Sequence, residues 1–439
     1  MNKSYLYVLL FIIGVFFTGF VLAQNEHSVA QLKHAANTQN DTYGEELGTV
    51  HFPVSCNEVA HQHANRGLAL LHHMTYAGAR EAFVAATQAD ADCAMGYWGQ
   101  AMSYIHPLWS DQPSESEFKQ GLALVALARD RGKKSAWELA YIRAVAAYYN
   151  ENRTSDEKAN IASFASAWRE VYKQFPEDTE AAGFYALTHL ASVNEDAQGH
   201  LGYEKQVHAA EIAKQALARV PDHPGAHHYI IHAYDSPALA EKALSVARHY
   251  GEITSNVPHA LHMPSHIFTR LGLWQESIVM NQRAAAAALA NPVNNTISLH
   301  YLHALDYLAY AYLQRADDES AAQVLQTITS LSIPAQAHIA SAYTYAAVPA
   351  RLVLERASEL ELGMPNDFPW EQFPAIQAIT HFARALGAAK IGNESVARSA
   401  LDQLMVLQKK LEKTSESWAK QIEIQRLSAQ AWLDYQQGN

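Results

Sequence analysis

The fold is decided by residues 67–104, which read GLALLHHMTYAGAREAFVAATQADADCAMGYWGQAMSY. Small and large apolar residues recur in this stretch at the spacing of two packed helices, and part of the pattern returns one period of about 34 residues later. The residues on the pattern are Gly67, Leu70, Ala79, Phe83 and Ala86, followed by Tyr97, Ala101 and Tyr104. A repeat of this length predicts helical hairpins that stack one after another along the chain.

The same pattern returns further along the chain. It includes Ala209, Ala213, Ala216 and Pro221, then Phe268, Gly272, Ser277 and Ala284, then Leu308, Ala309, Tyr312 and Ala321, and finally Ala385, Ala388, Gly392 and Ala397. The arrangement resembles the tetratricopeptide (TPR) signature. We therefore predict an all-α, TPR-like solenoid of helical hairpins, wound as a right-handed superhelix with a concave, histidine-rich groove. Pro349 is expected to kink or end the helix that contains it.

The first residues have the pattern of a secretory signal peptide. Lys3 precedes an apolar run from Leu9 to Ala23, and we expect cleavage after Ala23. The run is short for a membrane span, so the protein is predicted to be periplasmic or secreted, with no membrane association after cleavage. Residues 24–55 are predicted to form a polar N-terminal arm that is flexible or loosely docked, and residues 56–439 a single solenoid domain.

The charge of the mature chain disfavours some classes of partner. Removing Lys3 with the signal peptide leaves 31 basic residues against 44 acidic residues, a net charge of −13. A surface of this sign repels nucleic acids and anionic membranes. We expect instead a small molecule or a peptide in the concave groove, or a protein partner.

The chain has two cysteines, Cys56 and Cys93, and each lies just before the first helix of a predicted repeat. Both are therefore expected at the same end of neighbouring helices, where a disulfide is feasible in an exported protein. Metal ligation is the alternative, although neither cysteine has a second one two residues away.

Histidines follow helical spacing on the predicted inner helices. His228, His232 and Asp235 are separated by four and three residues, which places them in one stripe of a helix, away from the apolar residues that face the core. His262 and His266 repeat the four-residue spacing one hairpin later, and His259 extends that stripe.

The next inner helix offers His303 and Asp306 at the equivalent positions. Side chains from neighbouring helices about 8–10 Å apart can converge on one ion, with metal–nitrogen bonds of about 2.0–2.1 Å. The predicted ligands are His228, His232, Asp235, His262, His266, His303 and Asp306. Imidazole with carboxylate favours zinc or copper, with iron as a further candidate.

The remaining histidines receive a structural interpretation. His227 faces the core, and the group His61, His63, His72 and His73 is interpreted as solvated or partly packed. The exception is His189, which is a further candidate ligand.

Three arginines, Arg270, Arg351 and Arg384, could hold an anionic group. Arg351 also has Glu355 four residues away as a pairing partner.

The runs GYWGQAM, HHYIIHAYD and HMPSHIFTRLG resemble those of bacterial TPR-repeat proteins with exported members, a group without an agreed activity. The resemblance implies the fold and the repeat class. Two functions remain as alternatives. The first is a metal-binding protein, which would be a metal-dependent enzyme if the ion has a vacant coordination position. The second is a peptide- or protein-binding scaffold without metal. A third interpretation makes the histidines pH-responsive interior residues. The sequence does not distinguish an enzyme from a metal carrier.

Overall fold

The computed structural model describes residues 46–109, 111–149, 156–192, 203–293, 295–356 and 365–438. The predicted signal peptide, residues 1–23, and most of the predicted arm lie outside these ranges. Within them, regular structure consists of helices and isolated β-bridges, which confirms the all-α prediction. No helix in the described part of the chain is long and apolar enough to cross a membrane.

The helices follow one another with short connections. They are α1 (Glu58–His72), α2 (Tyr76–Ala89), α3 (Ala94–Met102), α4 (Glu115–Asp130), α5 (Ala136–Tyr148), α6 (Glu157–Gln174), α7 (Thr179–Ala191), α8 (Glu204–Arg219), α9 (Pro224–Tyr234), α10 (Leu244–Ile253), α11 (Pro258–His262), α12 (Pro264–Arg270), α13 (Trp274–Ala290), α14 (Leu299–Gln314), α15 (Asp318–Thr329), α16 (Ile339–Arg356), α17 (Pro374–Lys390), α18 (Glu394–Leu411) and α19 (Glu416–Gln436). Short 3₁₀ turns occupy Ala240–Ala243 and Trp370–Gln372.

Local sequence explains where several helices begin. Ser135 accepts a hydrogen bond from the backbone N–H of Glu138, whose side chain accepts one from the N–H of Ser135, so both satisfy groups that a helix start leaves without partners. The first turn of α9 uses a histidine instead, because His223 Nδ1 accepts from the N–H of Ala226. Pro349 was predicted to kink its helix or to end it. The second alternative is wrong, because α16 continues past Pro349 to Arg356.

The described residues divide into two compact units on either side of the Met280–Asn281 bond, within α13. In the unit that ends at Met280, α1 packs on α2, α2 on α3, and so on along the chain, as stacked hairpins require. One contact joins distant helices of this unit, because α9 packs against α1 as well as against its neighbours α8 and α10. This contact brings the histidines of α1 and α9 together.

Residues 46–55, just before α1, are packed more closely than the flexible or loosely docked arm that the sequence predicted. Leu47 and Phe52 are buried. The N–H of Thr49 donates to the carbonyl oxygen of Asp222, and the N–H of His51 donates to Glu180. Residues 46–55 are therefore docked on this unit: Leu47 and Phe52 enter its core, and backbone groups of the segment bond to α5, α7 and the α8–α9 turn.

Cys56 and Cys93 form a disulfide. It connects Cys56, two residues before the start of α1, with Cys93 at the N-cap position of α3. The sequence left a disulfide and a metal site open as alternatives, and the structure selects the disulfide, which excludes these thiolates as metal ligands.

In the unit that begins at Asn281, α14 packs on α15 and α16, and α17 packs on α16, α18 and α19. Asp306 on α14 is buried and forms an ion pair with Arg351 on α16. Arg351 thus pairs across helices instead of with Glu355.

Candidate functional site

Helix α9 holds the first part of the candidate site, in the unit that ends at Met280. Nearly every residue of this helix is buried, because α1, α7, α8 and α10 pack around it. His228 has no exposed surface, and His232 is partly exposed. A helix buried on most faces that still carries imidazoles must give those polar atoms partners or a ligand.

His228 and His232 face each other through the nitrogens that could bind a metal. Their Nε2 atoms are 3.1 Å apart. The other nitrogen of His228, Nδ1, donates to the carbonyl oxygen of His72 at 2.8 Å, which leaves a lone pair on Nε2 of the neutral ring. Two nitrogens bound to one tetrahedral ion at about 2.0–2.1 Å lie about 3.3 Å apart. The observed separation is close to this value.

His259, on α11, completes a group of three imidazoles with His228 and His232, which we call set A. One nitrogen from each ring lies within 4.8 Å of the others, and the ring centres of His228 and His259 are 5.0 Å apart. Pro258 begins α11 and places His259 in its first turn. Set A is thus assembled by two helices of the same unit.

His262 and His266 form a second pair, which we call set B. Pro264 begins α12 immediately after α11, and the Nε2 atoms of His262 and His266 are 3.0 Å apart. His266 Nδ1 donates to Asp235 Oδ2 at 2.8 Å, and Arg270 Nε donates to the other oxygen of Asp235, also at 2.8 Å. Metal-binding histidines commonly donate their second N–H to a carboxylate in this way, which fixes the ring orientation.

The electrostatics of this region favour neutral rings. Burial lowers the pKa of His228, and the neighbouring His232 lowers it further. Burial, followed by the charge of His266, lowers the pKa of His232 to about 3. Burial alone would raise the pKa of Asp235, but His266 and Arg270 bring it below its usual value. His228 and His232 are therefore uncharged at neutral pH, as metal ligation requires, while Asp235 is a carboxylate.

A cavity of about 530 Å³ opens beside these residues. It is lined by His232, Asp235 and Arg270, together with Trp109, Tyr203 and Gln206. Its volume lies within the usual range for small-molecule sites, about 300–1,000 Å³. The cavity gives a small molecule access to His232 from one side.

A different cluster, which we call the closed triad, consists of His72, Glu180 and His223, all without exposed surface. His72 Nε2 donates to Glu180 Oε2 at 2.7 Å, and His72 Nδ1 accepts from the hydroxyl of Tyr229 at 2.9 Å. His223 Nδ1 accepts a hydrogen bond from the N–H of Ala226, which places the ring N–H of a neutral His223 on Nε2. That Nε2 lies 3.3 Å from the same oxygen of Glu180. Because the ring nitrogens already have protein partners or carry protons, this cluster is structural.

The burial of His72 and His73 differs from the interpretation of the sequence, whereas that of His227 agrees with it. His72 and His73 are fully buried, whereas the sequence was interpreted as placing them in a solvated or partly packed group. His73 Nδ1 accepts from the hydroxyl of Tyr250, and its Nε2 donates to the carbonyl oxygen of Leu47. Burial lowers the pKa of His73 to about 3. The structural interpretation of His227 agrees with its burial and with its bond to the carbonyl oxygen of Pro221.

The predicted ligands fall into both units. His228, His232, Asp235, His262 and His266 lie in the unit that ends at Met280, where the contacts above join them. His303 and Asp306 lie on α14 of the other unit. There, the ring of His303 packs against Tyr307, and Asp306 pairs with Arg351. Their participation in a metal site stays a prediction.

Sequence reasoning missed Glu180. Its only local signal is a carboxylate in an otherwise apolar helix, which reads TEAAGFYALTHLA. A charged residue at such a position needs a buried partner, but the partners His72 and His223 are distant in sequence and could not be named from it.

No family model matches the chain, and no curated protein matches it. Among solved structures, the chain is similar to a Rap protein complexed with competence and sporulation factor at 12% identity and a TM-score of 0.39, over 87% of this chain and 100% of that one. It is similar to the TPR domain of P58(IPK) at 12% identity and a TM-score of 0.22, over 87% of this chain and 99% of that one. Likenesses of this size assign neither a family nor a function.

Proposed function

We propose that this protein binds a transition-metal ion through the imidazoles of set A, His228, His232 and His259, beside a cavity that admits a small molecule. The observation that carries the proposal is the 3.1 Å contact between the Nε2 atoms of His228 and His232, with the His228 tautomer set by the carbonyl oxygen of His72. Without an ion, His232 Nε2–H donates to His228. To bind an ion as well, His232 would carry that proton on Nδ1, so that the Nε2 lone pairs of both rings could act as ligands.

The donor set determines the class of ion. Three imidazoles favour zinc or copper, with iron as a further candidate, over calcium or magnesium, which prefer oxygen ligands. The predicted signal peptide and the Cys56–Cys93 disulfide support an exported, oxidising location for the protein. Set B and Asp235 lie beside set A and complete the candidate metal region.

An ion on set A with an open position would make the protein a metal-dependent enzyme. Such an ion lowers the pKa of a bound water to about 7 and polarises oxygen atoms of a substrate. Asp235 would orient His266 instead of acting as a base, because both of its oxygens accept hydrogen bonds from His266 and Arg270. His232 and the cavity that it lines would place a small substrate next to the ion.

Elemental mass spectrometry of the mature, untagged protein tests this proposal. After loading with zinc or copper and desalting, the wild type should retain metal, and His232→Ala should lose the ion of set A while keeping its helicity. His249→Ala is the matched control, because His249 is exposed and pairs with Asp222 outside the site. A wild type without retained metal would refute the proposal and favour the peptide- or protein-binding scaffold.

A further inference from the structure

We infer that the site holds two metal ions, one on set A and one on set B, instead of a single ion shared by all the histidines. This inference rests on the proposed metal-binding function and specifies its stoichiometry. It follows from the separations between imidazole rings and from the way each set is oriented.

Ring separations within each set fit a single ion. The centre of an imidazole ring lies about 3.2 Å from an ion bound to its Nε2, so two rings on one tetrahedral ion have centres about 5 Å apart. The ring centres of His228 and His232 are 4.8 Å apart, and those of His228 and His259 are 5.0 Å apart. In set B, the ring centres of His262 and His266 are 4.9 Å apart.

Ring separations between the two sets are larger. His232 and His266 have ring centres 6.4 Å apart, and His259 and His262 have ring centres 6.5 Å apart. These distances exceed the value of about 5 Å that one tetrahedral ion allows. They fit two neighbouring ions, each with its own imidazoles.

Each set also has its own orienting group. The carbonyl oxygen of His72 fixes the ring of His228 in set A, whereas Asp235 fixes the ring of His266 in set B. Each set thus has one histidine whose other ring N–H is held by a protein oxygen, the arrangement that commonly orients a metal ligand.

Two neighbouring ions would define the ligand class of the cavity. In two-metal sites the ions lie about 3.5–4 Å apart and bind oxygen atoms jointly. Arg270 lines the same cavity and donates to Asp235, so it adds positive charge beside set B. The ligand is thus expected to be a small molecule with a negatively charged oxygen that bridges the ions.

Metal stoichiometry measured by native mass spectrometry tests the inference. Full-length mature protein, stripped with a chelator and reloaded with Zn²⁺, should carry two ions. His262→Gln/His266→Gln should carry one ion, and His232→Gln should also carry one, because each change removes ligands of only one set. His249→Gln should carry the same two ions as the wild type. Circular dichroism checks that the variants fold.

The outcomes separate this inference from the proposed function. A wild type with one ion that is lost in both His232→Gln and His262→Gln/His266→Gln would overturn the two-ion centre and leave a single shared site. A wild type with no ion would overturn both. A second measurement requires no substitution: protein loaded with two equivalents of Cu²⁺ should show the half-field electron paramagnetic resonance transition of a close copper pair, and its absence would contradict the inference.

Discussion

The closed triad and set A both lie where α1 meets α9, with Glu180 of α7 completing the triad and His259 of α11 completing set A, but they differ in where their polar atoms are directed. Both ring nitrogens of His72 bond to protein groups, Glu180 and the hydroxyl of Tyr229. In set A, His228 uses only Nδ1 for a backbone oxygen, and its Nε2 faces His232. The kind of partner on the second ring nitrogen, a carboxylate for His72 and another imidazole for His228, therefore separates the structural cluster from the candidate binding cluster, even where histidines are equally buried.

The largest expected effect concerns the closed triad. Glu180→Ala would leave His72, His223 and the N–H of His51 without their shared acceptor. Removing one member of such a buried charged network typically costs about 3–5 kcal/mol, so we expect the free energy of unfolding to fall by that amount in urea denaturation.

Glu177→Ala is the matched control for this change. Glu177 is on the surface, where it pairs with Arg219, so its loss should cost less than about 1 kcal/mol. Equal effects of the two substitutions would contradict the structural role of the closed triad.

The next effect concerns metal. Zn²⁺ at a free concentration of 100 times its Kd should raise the free energy of unfolding of the wild type by about 2.7 kcal/mol. His232→Ala should lose the share of this increase that comes from set A, because one of its ligands is gone. The metal-free variant should be less stable than the metal-free wild type by about 1–3 kcal/mol, because the buried Nε2 of His228 loses its hydrogen-bond partner.

Thermal or urea unfolding with and without chelator measures both quantities. A metal-dependent increase that survives in His232→Ala without any reduction would show that the ion binds elsewhere. A metal-free variant that is as unstable as Glu180→Ala would remove the distinction between the two clusters.

The smallest effect is a pH dependence of the closed triad. Burial alone would raise the pKa of Glu180, but the charge and hydrogen bonds of His223 and His72 hold it below its usual value. The stability that this carboxylate contributes is therefore fully present above the unfolded pKa of about 4.3 and is lost as the pH falls below it.

The comparison of wild type with Glu180→Gln isolates this contribution. The difference between their free energies of unfolding should be constant from pH 7 to pH 5 and should shrink by about 1.4 kcal/mol for each pH unit below about 4.3. A difference that grows on acidification would contradict an ionised Glu180 in the folded state.

The two clusters also show what sequence could predict. The pairs His228–His232 and His262–His266 are separated by four residues within a continuous helical stretch, so helix geometry alone brought their rings together. The repeat pattern likewise predicted the helical hairpins, because the spacing of small residues such as Gly67 reflects close packing against Phe83.

The closed triad could not be predicted, because it depends on the packing of α9 against α1. His72 and Glu180 are distant in sequence, and no local spacing links them. The same contact explains why His72 and His73 are fully buried, although their sequence pattern was interpreted as a solvated or partly packed group. Residues 46–55 lack periodicity, yet they pack closely because their partners lie on helices far along the chain.

His72 takes part in both clusters, with its ring in the closed triad and its carbonyl oxygen bonded to His228. Substitutions in the two clusters should consequently show non-additive free energies, since both act on the end of α1. The same connection extends through Glu180 to the backbone of His51. Metal bound at His228 should slow the exchange of the His51 amide hydrogen with solvent, although this residue lies far from His228 in the chain.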